Sequence, residues 1–375
     1  MNCLILDKSL ESQNLKPKQE IINNIKKCDG QSTNNSDIPE KNRLKNKNYM
    51  ISTLKQKYPS FLEAFELEEY INSGSVGVVY TGKSKKAKKK QKIAFKFKIG
   101  DYKKDNSNNQ EISILRKLHH KNITEIYAFL KMNDNCSSVC ALEYAKNGDL
   151  ENFQKVLLKR KVLSETILVY FTKQILESLA YIHRCKIIHL DIKQGNILID
   201  TNLNVKLTDF SVSCSYSEFH PEDIIKFPFV GTSKYMSPEI IGRTEMKIKE
   251  AEKVDLYSLG VTLYNLAFGE YPYDLNEVGS KDYDNILKNI KNKTLEFPKD
   301  RKVSNLFKDF LKGLLEKDYT KRFNIRKALN HPWVQASQVI FDEKEKICCP
   351  ENFLINLVTD NIITFNNIIK LNNNV

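Results

Sequence analysis

One short segment of the chain carries three side chains of complementary chemistry: residues 189–196, which read His-Leu-Asp-Ile-Lys-Gln-Gly-Asn. Asp191 supplies a carboxylate, Lys193 a cation and Asn196 an amide oxygen. Phosphoryl transfer needs a carboxylate that orients and deprotonates the attacking hydroxyl, a positive charge near the transferred group, and hard oxygen ligands for Mg²⁺. The segment therefore predicts phosphoryl transfer, with Asp191 as catalytic base, Lys193 beside the transferred charge and Asn196 as a metal ligand.

A second metal ligand is predicted in Thr-Asp-Phe-Ser at 208–211, where Asp209 follows Asn196 by 13 residues. Apolar runs typical of short strands follow the first segment, at 197–199, and precede the second, at 205–207. An isolated His-x-Asp or Asp-Phe pair arises often by chance. The order and the spacing of Asp191, Asn196 and Asp209 therefore carry the interpretation.

A phosphate-binding turn is predicted upstream, between two strand-like runs. It is Ile71-Asn72-Ser73-Gly74-Ser75-Val76-Gly77-Val78-Val79. Gly74 and Gly77 carry no side chain, so backbone amides can approach a phosphate closely. Glycine between strands more often marks an ordinary turn, and this motif gains weight only from the residues that follow it.

The next strand-like run, 93–99, adds a candidate phosphate ligand. Alternation places Ala94 and Lys96 on one face of the strand, while Ile93, Phe95 and Phe97 point into a core. Glu111, at the start of a helix predicted over 111–118, can hold the Lys96 ammonium. An ordinary solvated lysine is the alternative for Lys96 if the remaining motifs are absent.

The adenine site is predicted where an apolar strand runs into a connection, Leu142-Glu143-Tyr144-Ala145. We expect the backbone carbonyl of Glu143 and the amide of Ala145 to bind the polar edge of the base. Leu142 is expected to guard the back of that pocket.

The elements that must position these residues are readable from hydrophobic periodicity. Five antiparallel strands are predicted at 66–71, 76–80, 93–99, 126–130 and 139–144, with the helix 111–118 packed on their sheet. From Leu150 the pattern is helical, and a long helix behind the cap residue Ser164 has an apolar stripe formed by Leu168, Phe171, Ile175, Leu179 and Ile182. Further helices are predicted at 255–268, 284–290, 303–315 and 325–329. The predicted class is α+β, with a small lobe of a five-stranded antiparallel sheet plus one helix and a larger, mainly helical lobe.

These patterns also divide the chain. Residues 1–60 are rich in Asn and Lys and poor in aromatics, which predicts a disordered tail. One domain spans 65–334, with a small lobe over 65–145 and a large lobe over 146–334. Residues 335–375 form a C-terminal tail to which the sequence assigns no role.

Composition excludes several other classes. Lys and Arg outnumber Asp and Glu by 59 to 46, a net charge of +13, but much of the excess lies in the run 83–92 and in the amino-terminal tail. We interpret that run as a solvated turn and expect no specific nucleic-acid binding. The eight cysteines lack paired spacing, which indicates reduced thiols in a cytoplasmic or nuclear protein. No leader and no membrane span are expected.

Taken together, the motifs resemble those of the eukaryotic protein kinase family, over about 270 residues. The resemblance implies a two-lobed fold that holds MgATP in a cleft, and transfer of phosphate to protein substrates. Lys193 in the segment 189–196, together with Thr232 before the Tyr-Met-Ser-Pro-Glu run, resembles the pattern of the serine/threonine class of this family. Downstream, the runs 231–239, 255–260 and 331–333 resemble the end of the activation segment, the central helix and the closing motif of the family, and Arg322 falls where the family pairs an arginine with Glu239. The ATP-binding residues that the resemblance implies are Ile71, Asn72, Ser73, Gly74, Ser75, Val76, Gly77, Val79, Ala94, Lys96, Glu111, Glu143, Ala145, Asp149 and Leu198, with Asn196 and Asp209 as ligands of Mg²⁺.

Three positions depart from the family pattern. Asn72 replaces a glycine of the phosphate loop, Ser211 replaces the glycine after Asp209-Phe210, and Leu190 replaces an arginine that in many kinases binds a phosphorylated activation loop. None of the three removes a group that touches the transferred phosphate. Two alternatives stay open: a pseudokinase that acts as a nucleotide-binding scaffold, and a small-molecule kinase on a related fold.

Overall fold

The computed structural model describes residues 51–52, 54, 59–74, 77–86, 91–99, 107–131, 137–157, 162–275, 279 and 282–337. They form two compact units. The first contains the described residues of Met1–Ile112 and Glu125–Tyr144, and the second contains Ser113–Thr124 and the described residues of Ala145–Val375. Among all these residues, no helix combines the length and the apolar character that crossing a bilayer requires.

The first unit is built on a five-stranded antiparallel sheet with the order β1-β2-β3-β5-β4. Its strands are β1 (Phe65–Gly74), β2 (Gly77–Ser84), β3 (Lys92–Ile99), β4 (Ile126–Lys131) and β5 (Ser137–Glu143). A short helix, α1 (Pro59–Ala64), precedes the sheet, and α2 (Ser107–Leu115) follows β3. The prediction of five antiparallel strands is confirmed, and α2 begins four residues before the predicted start at Glu111.

One face of this sheet forms an apolar core. Phe95 and Phe97 are buried, as alternation along β3 predicts, and the ring of Phe95 meets that of Phe61 edge-on at 5.4 Å between centroids. Leu54, only 1 % exposed, belongs to the same core. The ordered core therefore begins before the residue-60 boundary expected for the tail, because the sheet needs apolar cover that Leu54 and Phe61 supply. Residues 1–50 and 338–375, which hold most of both predicted tails, lie outside the described residues.

Residues 113–124, which begin in the last turn of α2, group with the second unit, although they fall within the range 65–145 predicted for the small lobe. The amide of Asn122 donates to Gln174 Oε1 and to the carbonyl of Val205, each at 3.0 Å, and is 1 % exposed. The backbone amide of Thr124 donates to the carbonyl of Leu207 at 3.0 Å. These buried hydrogen bonds tie 113–124 to residues that are distant in sequence, which no local pattern reveals.

Two long helices organise the second unit. They are α4 (Glu165–Arg184), which follows the short α3 (Leu150–Asn152), and α6 (Lys253–Phe268), which follows α5 (Pro238–Ile241). The predicted apolar stripe of α4 is fully buried. Ser164 does occupy the N-cap position, but its side chain makes no capping hydrogen bond. Every residue of α6 except Asn265 is buried, so this helix is the centre of the unit.

The remaining elements of the second unit are short. Its two-stranded antiparallel pairs are β6 (Ile187–Ile188) with β9 (Cys214–Ser215), β7 (Ile197–Ile199) with β8 (Val205–Leu207), and β10 (Ile224–Ile225) with β11 (Met246–Lys247). The later helices are α7 (Tyr283–Asn292), α8 (Asn305–Leu314), α9 (Ile325–Leu329) and α10 (Pro332–Gln335). All helices predicted here from periodicity are present, with ends shifted by up to two residues. The closing Trp333 is completely buried against Phe307 and Phe310 and donates its indole N–H to Glu165 at 2.8 Å.

One buried ion pair links distant parts of this unit. Arg322 donates through its two terminal nitrogens to the two carboxylate oxygens of Glu239, at 2.6 and 2.9 Å. Arg322 is 2 % exposed and Glu239 is 4 % exposed. The guanidinium also donates to the carbonyls of Glu316 and Lys253 and lies 4.9 Å from the ring of Tyr257. The pairing of Arg322 with Glu239 that the family resemblance implied is thereby confirmed.

We expect Arg322→Met to lower the free energy of unfolding by about 3–5 kcal/mol, because it leaves the Glu239 carboxylate buried without a cation. The measurement is chemical denaturation. The matched control is Lys321→Met, which removes a lysine whose side chain is 74 % exposed and which pairs with Asp318 only at the surface. Equal denaturation midpoints for the two variants would contradict the role given to the buried pair.

Candidate active site

The side chain of Asp191 is held by three donors. The amide of Asn196 donates to Asp191 Oδ2 at 2.9 Å, and the ammonium of Lys193 lies 2.8 Å from the same oxygen. The backbone amide of Thr232 donates to Oδ1 at 2.8 Å, and Lys193 also donates to the Thr232 hydroxyl at 2.7 Å. A carboxylate has about four acceptor positions, so Asp191 is fixed in orientation and keeps capacity for one further donor.

The predicted metal ligands fit Mg²⁺. Asn196 donates both to Asp191 Oδ2 and to the backbone carbonyl of Asp191, at 2.8 Å, and two acceptors require that the amide nitrogen faces them. Its carbonyl oxygen is therefore the atom that can bind a cation. The backbone amide of Thr208, the residue before Asp209, donates to the backbone carbonyl of Asn196 at 3.0 Å, which leaves the side-chain oxygen of Asn196 out of this bond. An amide oxygen and a carboxylate are hard ligands, and Mg²⁺ in phosphate sites takes only one or two protein carboxylates.

His189 links the loops that carry these residues. Its Nε2 lies 3.0 Å from the carbonyl of Thr208, which can only accept, so Nε2 carries the proton. Its Nδ1 accepts from the backbone amide of Asp191 at 3.3 Å. One imidazole thus fixes the distance between the Asp191 loop and the Asp209 loop.

A buried carboxylate on α6 fixes the backbone before Asp191. Asp255, which has no exposed surface, accepts hydrogen bonds from the amides of His189 and Leu190 and from His183 Nε2, each at 2.9 Å. Leu190 has a φ of 64°, a left-handed conformation that leucine rarely adopts. The hydrogen bond from the Leu190 amide to Asp255 offsets that strain. Asp209 also has a φ of 64°, and such outliers concentrate at functional sites.

Gly231 brings Thr232 to Asp191. It has a φ of 101°, and a Cβ at this position would lie 2.4 Å from the carbonyl oxygen of Leu190. Only glycine permits both the conformation and the close approach. The run at 231–239 is therefore seated on the Asp191 loop by a backbone constraint readable in its first residue.

In the first unit, Lys96 and Glu111 form the predicted ion pair. The ammonium of Lys96 lies 3.1 Å from Glu111 Oε1. Ala94 and Lys96 lie on the face of β3 opposite to the buried Phe95 and Phe97, as predicted. On β2, Val79 is the register partner of Lys96 and therefore shares its face.

The predicted phosphate-loop residues are described only in part. Ile71 to Gly74 end β1, and Gly77 begins β2, directly opposite Gly74. Asn72 is exposed and pairs in register with Val79. Ser75 and Val76 lie outside the described residues, and for Ser73 only the backbone is described.

The residues predicted to contact the base and the ribose lie at the ends of β5 and on the elements after it. Glu143 is the last residue of β5, and Ala145 is buried. Asp149 caps α3: its two carboxylate oxygens accept from the backbone amide and the side-chain amide of Asn152, at 2.9 and 2.7 Å. Burial raises the pKa of Asp149. Leu198 is half-buried between Ile197 and Ile199, which have no exposed surface, so its side chain points away from the core.

Comparison with known proteins shows which family has this fold and these motifs. The profile of the protein kinase domain matches residues 65–334, which is more than half of the chain. The chain belongs to the protein kinase family. It has the two-lobed kinase fold, and the five-stranded sheet of the first unit is the sheet of the small lobe.

Several kinases are similar to it in sequence. The serine/threonine-protein kinase TIO of Arabidopsis thaliana is 33 % identical over 76 % of this chain, and TOS3 of Saccharomyces cerevisiae (strain ATCC 204508 / S288c) is 31 % identical over 60 % of it. ULK3 of Rattus norvegicus, also a serine/threonine-protein kinase, is 30 % identical over 74 % of this chain. The chain covers 20 %, 43 % and 56 % of the length of these three relatives, respectively.

Two residues of this kinase domain escaped prediction from sequence. The sequence indicates only that Asp255 lies at the start of the central helix. Its hydrogen bonds with the amides of His189 and Leu190 depend on tertiary structure. Lys98 is buried and binds the same carboxylate as Lys96. The sequence could have indicated this contact, because Lys98 lies two residues after Lys96 on β3 and therefore on the same face of the strand.

Proposed function

We propose that this protein is a serine/threonine protein kinase that transfers the γ-phosphoryl group of MgATP to protein hydroxyls, with Asp191 as the catalytic base. The observation that carries the proposal is the arrangement of Lys193, Asn196 and Thr232 around the Asp191 carboxylate. Each of these contacts joins residues whose types suit one step of phosphoryl transfer.

In this proposal Asp191 orients the acceptor hydroxyl and takes its proton. Three donors already bind its oxygens, so the remaining acceptor position is directed toward the incoming hydroxyl. The Lys193 ammonium lies between Asp191 and the Thr232 hydroxyl and supplies positive charge beside the transferred group. The closeness of Lys193 and Thr232 to Asp191 suits a small acceptor such as serine or threonine.

Binding of MgATP is assigned to the residues predicted from sequence. Lys96, held by Glu111, would contact the nucleotide phosphates, and Asn196 and Asp209 would hold Mg²⁺ through an amide oxygen and a carboxylate. Bound Mg²⁺ would neutralise charge on the phosphates. The protein groups themselves act by position: the ion pair with Glu111 holds the Lys96 ammonium, and Asp191 orients the Asn196 amide.

We expect Asp191→Asn to lower kcat by about 10²–10⁴-fold, because an amide cannot accept the hydroxyl proton. The Kd for MgATP should stay within about twofold, since the base serves the acceptor rather than the nucleotide. The measurement is transfer of labelled γ-phosphate to basic and acidic acceptor proteins, with mass spectrometry of the modified residues and calorimetry for MgATP. Asp284→Asn, an exposed position in the first turn of α7, is the matched control.

The outcomes of that experiment distinguish a protein kinase from a pseudokinase and from a small-molecule kinase. Phosphoserine or phosphothreonine in the acceptor, lost in Asp191→Asn alone, supports the proposal. A wild-type protein that binds MgATP and transfers no phosphate to any acceptor is a pseudokinase. Undiminished turnover in Asp191→Asn removes Asp191 from its role, and phosphate on a small molecule only would favour the small-molecule kinase.

Asp209→Asn should give the opposite signature. Loss of the carboxylate charge weakens a hard-cation site, so we expect the Kd for ATP in the presence of Mg²⁺ to rise by roughly tenfold or more. The Kd for ATP in the presence of a chelator should not change, because the variant removes no other contact assigned to the nucleotide. Calorimetry with and without Mg²⁺ measures both values. Equal affinities of wild type and variant in Mg²⁺ would show that Asp209 is not a ligand.

The activation segment, 209–239, is seated by contacts that need no added phosphate. The pair β10–β11 joins it to the chain before α6, and the hydroxyl of Tyr216 donates to the carbonyl of His183 at 3.2 Å. Glu222 lies 2.9 and 2.6 Å from the ammonium groups of Lys247 and Lys249, which lower its pKa to about 2. Leu190, where many kinases carry a phosphate-binding arginine, is buried.

We therefore expect the dephosphorylated protein to keep most of its initial rate. The measurement is the initial rate after phosphatase treatment, under conditions that suppress autophosphorylation, with mass spectrometry confirming that 209–239 is unmodified. A drop of about a hundredfold, restored on rephosphorylation of that segment, would show that another cation, such as Lys226 or Lys234, replaces the missing arginine.

A further inference from the structure

A second lysine of β3 lies in the row of side chains that follows Lys96. In the sheet register, Lys96 pairs with Val79 on one side and Cys140 on the other, and the next row is Gly77, Lys98 and Ser138. Residues directly opposite one another, and residues two apart on one strand, share a face. Lys98 therefore lies on the same face as Lys96, beside a Gly77 that has no side chain to cover it.

Both lysines bind the same carboxylate. Lys96 Nζ contacts Glu111 Oε1 at 3.1 Å, and Lys98 Nζ contacts Glu111 Oε2. Each oxygen of Glu111 thus has its own cation. Lys98 is 5 % exposed and Glu111 is 2 % exposed, so this part of the cluster is shielded from water.

Stability does not account for Lys98. A buried charge loses its hydration, and an apolar side chain of similar volume is often neutral or favourable in its place. Removing Lys98 would also leave no orphan charge, since Glu111 would keep Lys96. A buried cation that the fold does not need is a candidate for function.

We propose that Lys98 is a positioning residue that holds Glu111, and through Glu111 fixes α2 and the ammonium of Lys96. With Lys98 on Oε2, the carboxylate cannot rotate, so Oε1 stays directed at Lys96. When Lys96 engages nucleotide phosphates, Glu111 keeps a second cation and does not become an unpaired buried anion. The effect on turnover rests on the proposed kinase function, and the effect on Glu111 does not.

The main test is Lys98→Met, which keeps the length and volume of the side chain and removes its charge. We expect kcat to fall by at least about tenfold with KM for ATP changed little, because misplacement of Lys96 acts on the transition state. The denaturation midpoint should stay the same or rise. Lys83→Met is the matched control, because Lys83 pairs with Glu66 and Glu68 on β1 at a half-exposed position of β2.

Two further variants separate positioning from packing. Lys98→Arg restores the charge and should recover kcat to within about threefold of wild type. In a Glu111→Gln background, Lys98→Met should have no further effect on kcat, because Lys98 acts only through Glu111. A lowered denaturation midpoint with unchanged kcat, or additive effects of the two substitutions on kcat, would overturn the proposal.

A readout without turnover distinguishes failure of this proposal from failure of the proposed function. Hydrogen exchange of the α2 backbone amides from Glu111 to Leu115, measured on the full chain without nucleotide, should be at least about threefold faster in Lys98→Met and unchanged in Lys83→Met. If the wild type transfers no phosphate, the proposed function fails, and this exchange still decides whether Lys98 holds Glu111. Unchanged exchange in Lys98→Met overturns the proposal whatever the turnover.

Discussion

The candidate active site of this member of the protein kinase family depends on one buried carboxylate, Asp255 on α6. It accepts hydrogen bonds from the backbone amides of His189 and Leu190 and from the imidazole of His183. Without the Asp255 carboxylate, no hydrogen bond to that side chain would offset the strained left-handed backbone of Leu190. The direction in which the chain enters Asp191 would then change. Because α6 is buried along nearly its whole length, the packing around the helix holds the carboxylate in place. Through its hydrogen bonds to His189 and Leu190, the helix holds in place a loop that has little regular structure of its own.

Around that anchor, chains of hydrogen bonds set the positions of the polar groups. His189 joins the Asp191 loop to the carbonyl before Asp209, Asn196 joins the same loop through its amide, and Gly231 lets the Thr232 amide reach the carboxylate. Each donor is satisfied inside the protein, and in a low-dielectric interior such connected groups resist displacement. A site built this way holds its polar atoms in place before any substrate arrives.

Three of the buried charged sites have different consequences. Arg322 and Glu239 satisfy each other through two hydrogen bonds and hold distant segments together. Asp255 is compensated by N–H groups alone. Glu111 is shared between Lys96 and Lys98, one on each carboxylate oxygen. The Arg322–Glu239 pair links distant segments, Asp255 orients a backbone, and Glu111 binds two lysines on the face of the sheet that also holds Ala94 and Val79.

The sequence by itself determined the main elements and predicted the chemistry. Alternation along β3 separated Phe95 and Phe97 from Ala94 and Lys96, the stripe on α4 predicted its buried face, and the spacing of Asp191, Asn196 and Asp209 predicted phosphoryl transfer, since periodicity and side-chain type are local properties. Only the tertiary structure decided which distant groups meet. The attachment of 113–124 through Asn122, the inclusion of Leu54 in the core of the sheet, the acceptor role of Asp255 and the second cation on Glu111 all join residues that are not neighbours in the chain. Their pairing depends on packing and on the need to satisfy buried polar groups, and neither is written in the order of neighbouring residues.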